Sequence, residues 1–358
     1  MLTIVLAKLF LLVNNLKAQL LLGFLFLFYF TGCDRKDPVV DFTGNTWGTT
    51  YSIRLVSGKS SNINRSLIQS GLDSIFISID DQMSTYKINS EISLFNQMQK
   101  NAAINISPGF ANVINRSIHW SELTSGAIDI TIFPAVLVWR RGKNDREYKD
   151  IWEPPTDLDI IMEMEKVGFD KLKLNGLNLV KTKRGQMIDV NSIAKGWGVD
   201  QLYKYLKSNG FTQFMVEIGG EVRVSGKNNR GKSWKIGIDR PTPGLQPGED
   251  IYAVASLKDQ AMATSGNYRN FFEYDGFKYS HIIDPQTGQA TQSIISSITV
   301  TGPNCLDADA LATALNVMSL EDGLTLVESL KGFEALWIII ENDKRFKSII
   351  SSGMPIAN

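Results

Sequence analysis

The chain has 358 residues, 43% of them hydrophobic and 10% aromatic, and its 37 basic residues balance 37 acidic ones. That is ample for one large domain or two subdomains, it argues against a disordered chain, and zero net charge leaves no basic surplus for nucleic acid and no acidic tail. Only His119, His281, Cys33 and Cys305 carry imidazole or thiol, which all but excludes a tetrahedral zinc site and leaves no disulfide framework, so any metal must rely mainly on oxygen ligands, as magnesium or calcium do.

In chain order, residues 1–32 carry Lys8 and Lys17, then "AQLLLGFLFLFYF", then "TGC". Positive flank, apolar run and small residues read as an export signal. Cys33 directly follows Gly32, the position of the lipidated first residue of a bacterial lipoprotein, with Phe30 where such boxes usually have Leu. A plain transmembrane anchor is the other reading, and both put the bulk of the chain outside the cytoplasm, at a membrane. Residues 33–45 then read as a short tether, and the folded domain as 46–358.

"YSIRLV" (51–56) alternates apolar and polar residues and predicts a half-buried strand. Residues 65–83 and 107–126 have helical spacing, the second with Pro108 near its start and Gly126 past its end. "FMVEIGGEVRVSG" (214–226) predicts strand, Gly-Gly turn, strand. "SWKIGID" (233–239), "SITVTG" (297–302) and "EALWIII" (334–340) predict further strands, the last buried on both faces. A helix is expected over 309–319. "RPTPGLQPGED" (240–250) reads as a surface loop. Hairpins mixed with helices, without regular strand–helix alternation, predict α+β, with mixed or antiparallel sheets packed with helices.

Four stretches carry polar groups that suit chemistry. In "MIDVNSIAKGWGVD" (187–200) a strand-like segment enters a small-residue helix start with Lys195, which suits an anion; Asp189 and Asn191 could equally be caps and Lys195 solvated. "AMATSGNYRNFF" (261–272) holds Thr-Ser-Gly-Asn, read as a tight turn. "YSHIIDPQTG" (279–288) holds His281 and an Asp284-Pro285 turn, where the histidine is either a structural hydrogen-bonder or a base. In "DADALAT" (307–313), Asp307 reads as an N-cap, while Asp309 and Thr313 stand four apart on one helix face. That face is either a hard-cation site or a helix start with a spare acid. No Rossmann or P-loop nucleotide signature occurs.

In this order the chain resembles the FAD:protein FMN transferases, the ApbE family, over residues 46 to 340. The matching stretches are "TWGTTYSI" (46–53), "DQMSTYKINSEISLFN" (81–96), "GAIDITIFPAVLVWRRG" (126–142), "IDVNSIAKGWGVD" (188–200), "VEIGGEVRVSG" (216–226), "MATSGNY" (262–268), "SHIIDPQTG" (280–288) and "DADALATAL" (307–315). The resemblance implies an ApbE-like α+β fold with a nucleotide site between lobes. It implies FAD contacts at Trp47, Tyr86, Ala127, Ile128, Asp129, Asp189, Lys195 and the backbone of Ile282. It also implies a magnesium ion held by the Ser192 carbonyl, Asp309 and Thr313. Trp47 replaces the family's usual Met, and Phe133 its usual Gly before Pro134.

Family members transfer the FMN half of FAD to a Thr or Ser of a target flavoprotein and release AMP. The resemblance therefore implies magnesium and FAD as cofactor and substrate. The acceptor it implies is an exported or membrane-anchored flavoprotein, such as a redox-complex subunit. It implies a place in the bacterial cell envelope. His281 is a candidate base beside the nucleotide segment, with Asp284 the competing one. A magnesium-dependent FAD pyrophosphatase would use the same residues with water as acceptor. A non-catalytic flavin-binding lipoprotein would not need Lys195, Asp309 and Thr313 together.

Overall fold

The computed structural model describes residues 37–57, 63–142, 152–267, 271–341 and 345–357; Cys33 and the 1–32 leader lie outside them. The chain runs β1 (Val39–Thr46), β2 (Thr49–Val56), α1 (Arg65–Met83), α2 (Glu91–Gln97), β3 (Ala103–Asn105), α3 (Pro108–Leu123), α4 (Phe133–Arg141) and α5 (Asp157–Met164). Next come β4 (Leu172–Asn175), β5 (Asn178–Lys181), α6 (Asn191–Ser208), β6 (Phe214–Ile218), β7 (Glu221–Ser225), β8 (Trp234–Asp239) and β9 (Ile251–Leu257). It ends with β10 (Ala261–Gly266), β11 (Phe271–Tyr274), β12 (Phe277–Ser280), β13 (Ile295–Gly302), α7 (Cys305–Val317), α8 (Leu320–Ser329), β14 (Glu334–Ile340) and β15 (Phe346–Ile350).

Eight strands form one sheet in the order β1-β2-β6-β7-β10-β13-β14-β15, and each neighbouring pair is antiparallel. This is the α+β architecture expected. Tyr51, Ile53 and Leu55 of β2 are buried, while Arg54 faces solvent and pairs with Asp41 at 2.9 Å. β14 is buried on both faces: Ala335, Trp337 and Ile339 pack on the helix side, Leu336 and Ile338 against the β8–β9 hairpin. Burial of each Leu or Ile among them contributes about 1.5–3 kcal/mol.

Four expectations are corrected. Residues 39–45 of the expected tether are the edge strand β1, so the domain begins before residue 46. Pairing of Val39–Thr46 with Val56–Thr49 recruits a segment whose own sequence is largely polar. Thr264-Ser265-Gly266 is not a turn but the end of β10, opposite Thr299, Ile298 and Ser297. There the neighbouring ladder overrides local turn chemistry. Residues 187–190 form no strand; the Asn96 side chain takes the strand partner's place, bonding both the N–H and the carbonyl of Ile188 at 2.7 and 2.9 Å. Finally, the helix expected over 309–319 spans Cys305–Val317, and Asn304 rather than Asp307 is its N-cap. Asp307 instead accepts hydrogen bonds from Arg116 and Trp120 on α3, which ties the start of α7 across the core.

Candidate active site

α6 and α7 cross at Gly196. A Cβ there would lie 2.4 Å from the Cys305 carbonyl oxygen and 2.9 Å from Cβ of Asp309, so only glycine lets the two helices approach this closely. The Gly196 N–H donates to Asp309 Oδ2 at 2.9 Å. In an unbroken α-helix that N–H serves the Ser192 carbonyl. The contact thus draws Asp309 to the turn of α6 that holds Ser192.

Asp309 Oδ1 and Thr313 Oγ1 make no hydrogen bond among the described residues, although Asp309 is buried. Burial pushes the Asp309 carboxyl up, against the pull of the Lys195 charge and the Gly196 amide. Two uncommitted oxygens on one helix face are the donors a hard cation takes. Among the described residues no three His, Cys, Asp or Glu side chains group as a metal site, so a cation here would rely on one carboxylate, a hydroxyl and carbonyls.

One residue before Gly196, the Lys195 ammonium pairs with Glu221 Oε1 at 2.6 Å. Glu221 opens β7 directly after Gly219 and Gly220, whose φ values of 61° and 105° make the tight turn. Its side chain is fully buried, and its Oε2 has no hydrogen-bond partner. Burial pushes the Glu221 carboxyl up, and the Lys195 charge beside it pulls it back down. For Lys195, burial works against the charge, but Asp309 and Glu221 outweigh it and hold the ammonium protonated.

Asp189 precedes α6 and accepts from the Asn191 N–H at 2.7 Å and its side-chain amide at 3.1 Å, a turn two residues long rather than a cap, since the N-cap is Val190 and no side chain caps the helix. Arg140 Nη2 lies 3.7 Å from Asp189 Oδ2, the oxygen that accepts from the Asn191 side-chain amide, and burial pushes the Asp189 carboxyl up. The Asp189 N–H bonds the Ile130 carbonyl at 2.8 Å, which brings the 127–130 segment alongside. There Ala127 and Ile128 are core residues, and Asp129 is buried, accepting from Thr131 and from the Phe169 N–H. The turn after His281 joins the same region: Gln286 donates to the Ser125 carbonyl at 3.0 Å.

His281 is exposed at the end of β12. A hydrogen-bonded chain links its neighbour to α7. Ile282 N–H donates to Ser280 Oγ (3.0 Å), Ser280 to Asn267 Oδ1 (2.8 Å), and Asn267 to Asn316 Oδ1 (2.9 Å). The Ile282 carbonyl accepts from Thr291. Asp284 is spent on its turn, accepting from the Gln286 N–H at 2.8 Å and the Thr287 hydroxyl at 3.0 Å. A cleft of about 400 Å³ between α1 and α6 is lined by Gln82, Trp197, Gln201 and Lys204, and by none of these residues.

The ApbE family model matches residues 47–337. The chain belongs to the ApbE family. It is 37% identical over 327 residues to the FAD:protein FMN transferase of Vibrio cholerae, covering 91% of this chain and 95% of that protein. It is 30% identical to that of Escherichia coli, covering 90% and 92%. Among solved structures, the flavin transferase ApbE from Vibrio cholerae superposes with a TM-score of 0.78 at 36% identity, covering 88% of this chain and 97% of that one. The flavinyl transferase ApbE of Pseudomonas stutzeri, in its apo form, gives 0.77 at 30%, covering 88% and 96%.

In this ApbE-family chain the substituted Trp47 sits in the β1–β2 turn at φ 48°, a strained value for a bulky residue. Its ring meets Phe76 edge-on at 5.5 Å and lies against Gly198, where a Cβ would come within 2.6 Å. The glycines of "KGWG" thus admit α7 on one side and Trp47 on another. Phe133, the other departure, is buried at the start of α4 beneath Arg140. Tyr86 is 84% exposed in the loop after α1, and no side-chain contact joins it to Lys195 or Asp309. Sequence reasoning misses Glu221, Gly196 and the Asn267–Asn316 link; only the Gly-Gly turn before Glu221 hints at the first.

Proposed function

We propose that the chain transfers FMN from FAD to a Thr or Ser hydroxyl of a target flavoprotein and releases AMP. One observation carries this reading. Lys195 directly precedes Gly196, whose N–H holds Asp309, with Thr313 one helical turn further along α7, in a chain whose relatives over nine-tenths of its length are FAD:protein FMN transferases.

The donor set fits magnesium, with Asp309 and Thr313 as side-chain ligands and Ser192 contributing its carbonyl. When bound, the ion neutralises pyrophosphate charge. The Lys195 ammonium adds to that neutralisation and stabilises the AMP phosphate as it leaves. The acceptor oxygen forms a bond to the FMN-side phosphorus while the bond from that phosphorus to the bridging oxygen breaks, leaving FMN in phosphoester linkage. His281 takes the proton of the attacking hydroxyl. Asp284, whose carboxylate oxygens hold the turn, is the competing candidate. Trp47, Tyr86, Ala127, Ile128, Asp129, Asp189 and the Ile282 backbone are assigned to FAD.

The acceptor is an exported or membrane-anchored flavoprotein, because the leader and Cys33 direct this chain to the cell envelope as a lipoprotein. Among the described residues no helix is long and apolar enough to cross a membrane. The test uses the detergent-solubilised full chain with FAD, magnesium and a candidate acceptor. Flavin fluorescence migrating with the acceptor on a denaturing gel supports transfer. Free FMN without labelled protein would make it a pyrophosphatase, and intact bound FAD a carrier.

A further inference from the structure

We propose that Glu221 is a positioning residue, which pins the Lys195 ammonium where the FAD pyrophosphate must lie. The proposal rests on the transfer reading above and adds to it a residue outside the set assigned to FAD and the metal.

Three observations carry it. Glu221 is 1% exposed, yet only Oε1 is matched, by Lys195 at 2.6 Å. Oε2 is buried without a hydrogen-bond partner. A buried carboxylate with one oxygen unmatched is a poor way to stabilise a fold, since an apolar residue of similar volume commonly does better. Stability therefore does not account for Glu221.

Lys195 supplies the second. A lysine is a point charge on a flexible stem, and this side chain remains 34% exposed, so an unpinned ammonium would sample solvent. The third is the neighbourhood. Asp309 acts on the Lys195 charge, although the ion pair itself is with Glu221. A released ammonium could turn to Asp309 and engage the oxygen that the cation needs. Glu221 thus holds Lys195 ready for the phosphates and away from the metal ligand. The Gly219-Gly220 turn gives this aim: Ile218 and Glu221 are register partners, which sets Glu221 at the very start of β7.

A double-mutant cycle on the full chain tests the proposal. FAD affinity is read by fluorescence titration, and kcat and KM for FAD from transfer assays. The proteins are wild type, Glu221→Gln, Lys195→Met and the double variant. Glu221→Gln is expected to weaken FAD binding and raise KM about tenfold, the weight of one charge-assisted contact. In the Lys195→Met background the same change is expected to cost less than about twofold, because Glu221 acts through Lys195. The melting temperature of ligand-free Glu221→Gln should not fall. Glu221→Asp keeps the charge but retracts it by one methylene. It should raise KM less than Glu221→Gln, and it carries the cycle if that variant does not fold. Equal losses in both backgrounds, or unchanged FAD affinity, would overturn the role of Glu221 and leave the transfer reading standing. A wild-type chain that neither binds FAD nor transfers flavin would overturn both.

Discussion

The Gly196 N–H donates to the Asp309 carboxylate at 2.9 Å across 113 positions of sequence, and this bond joins the start of α6 to the face of α7. It leaves Asp309 Oδ1 without a hydrogen bond among the described residues, and Lys195, one residue from Gly196, pairs with Glu221.

Gly196→Ala should separate the helices. The new methyl would meet backbone, the Cys305 carbonyl at 2.4 Å, which cannot rotate away. A loss of about 1–3 kcal/mol in denaturant unfolding is expected, together with impaired flavin transfer. Unchanged stability would mean that the crossing is looser than described.

Asp309→Asn keeps an acceptor for the Gly196 amide but removes the anionic oxygen. Transfer should fall by at least roughly a hundredfold at saturating magnesium, with the melting temperature little changed. Binding of manganese, followed by its electron spin resonance signal, should weaken in parallel. Near-normal AMP release would return Asp309 to a purely structural role.

His281→Ala should retain FAD binding and lose about two to four orders of magnitude in transfer rate, the usual weight of a general base. His119 is exposed on α3, edge-on to Trp120, and His119→Ala should be silent. Wild-type transfer by His281→Ala would remove that histidine from the chemistry.

Lys181, the last residue of β5, is buried, and its ammonium reaches the end of α2 to donate to the carbonyls of Asn96 and Met98, each at 2.9 Å. Burial lowers its pKa from 10.5 to about 8. Between those values the unfolded chain holds a proton that the folded chain has released, so this group makes stability rise with pH across that window. Below pH 8 both states are protonated and its contribution is flat. The rise should vanish in Lys181→Met, read from denaturant midpoints at pH 7.5, 8.5 and 9.5 against wild type. An identical pH slope in the two proteins would refute it.

Cys33→Ser should abolish incorporation of a labelled fatty acid and shift the chain's mass. Unchanged labelling and unchanged mass would show that Cys33 carries no lipid.

Much of the fold is legible because its signals are local. The alternation Tyr51, Ile53, Leu55 needs only neighbouring residues to predict β2, and Ser107-Pro108 predicts the start of α3 for the same reason. Segments whose partners are distant are misread. β1 looks like a tether until β2 lies beside it, and Thr-Ser-Gly looks like a turn until β13 does. The start of α7 is misplaced because Asp307 looks like a cap in sequence, while its actual partners, Arg116 and Trp120, lie 191 and 187 positions away.

The order of motifs and the spacing of Asp309 and Thr313 suffice, without coordinates, to indicate the family and a helix face able to hold a cation. They do so because helical periodicity and side-chain chemistry are properties of a short stretch. Which oxygens stay uncommitted, and which carboxylate holds Lys195, only the tertiary structure decides. Asp284 and Glu221 are both acids beside tight turns in sequence. In the fold one spends its oxygens on its own turn, and the other is buried against a lysine from a different element. Hydrogen-bond commitment and burial belong to packed neighbours, and a linear sequence does not show which neighbours those are.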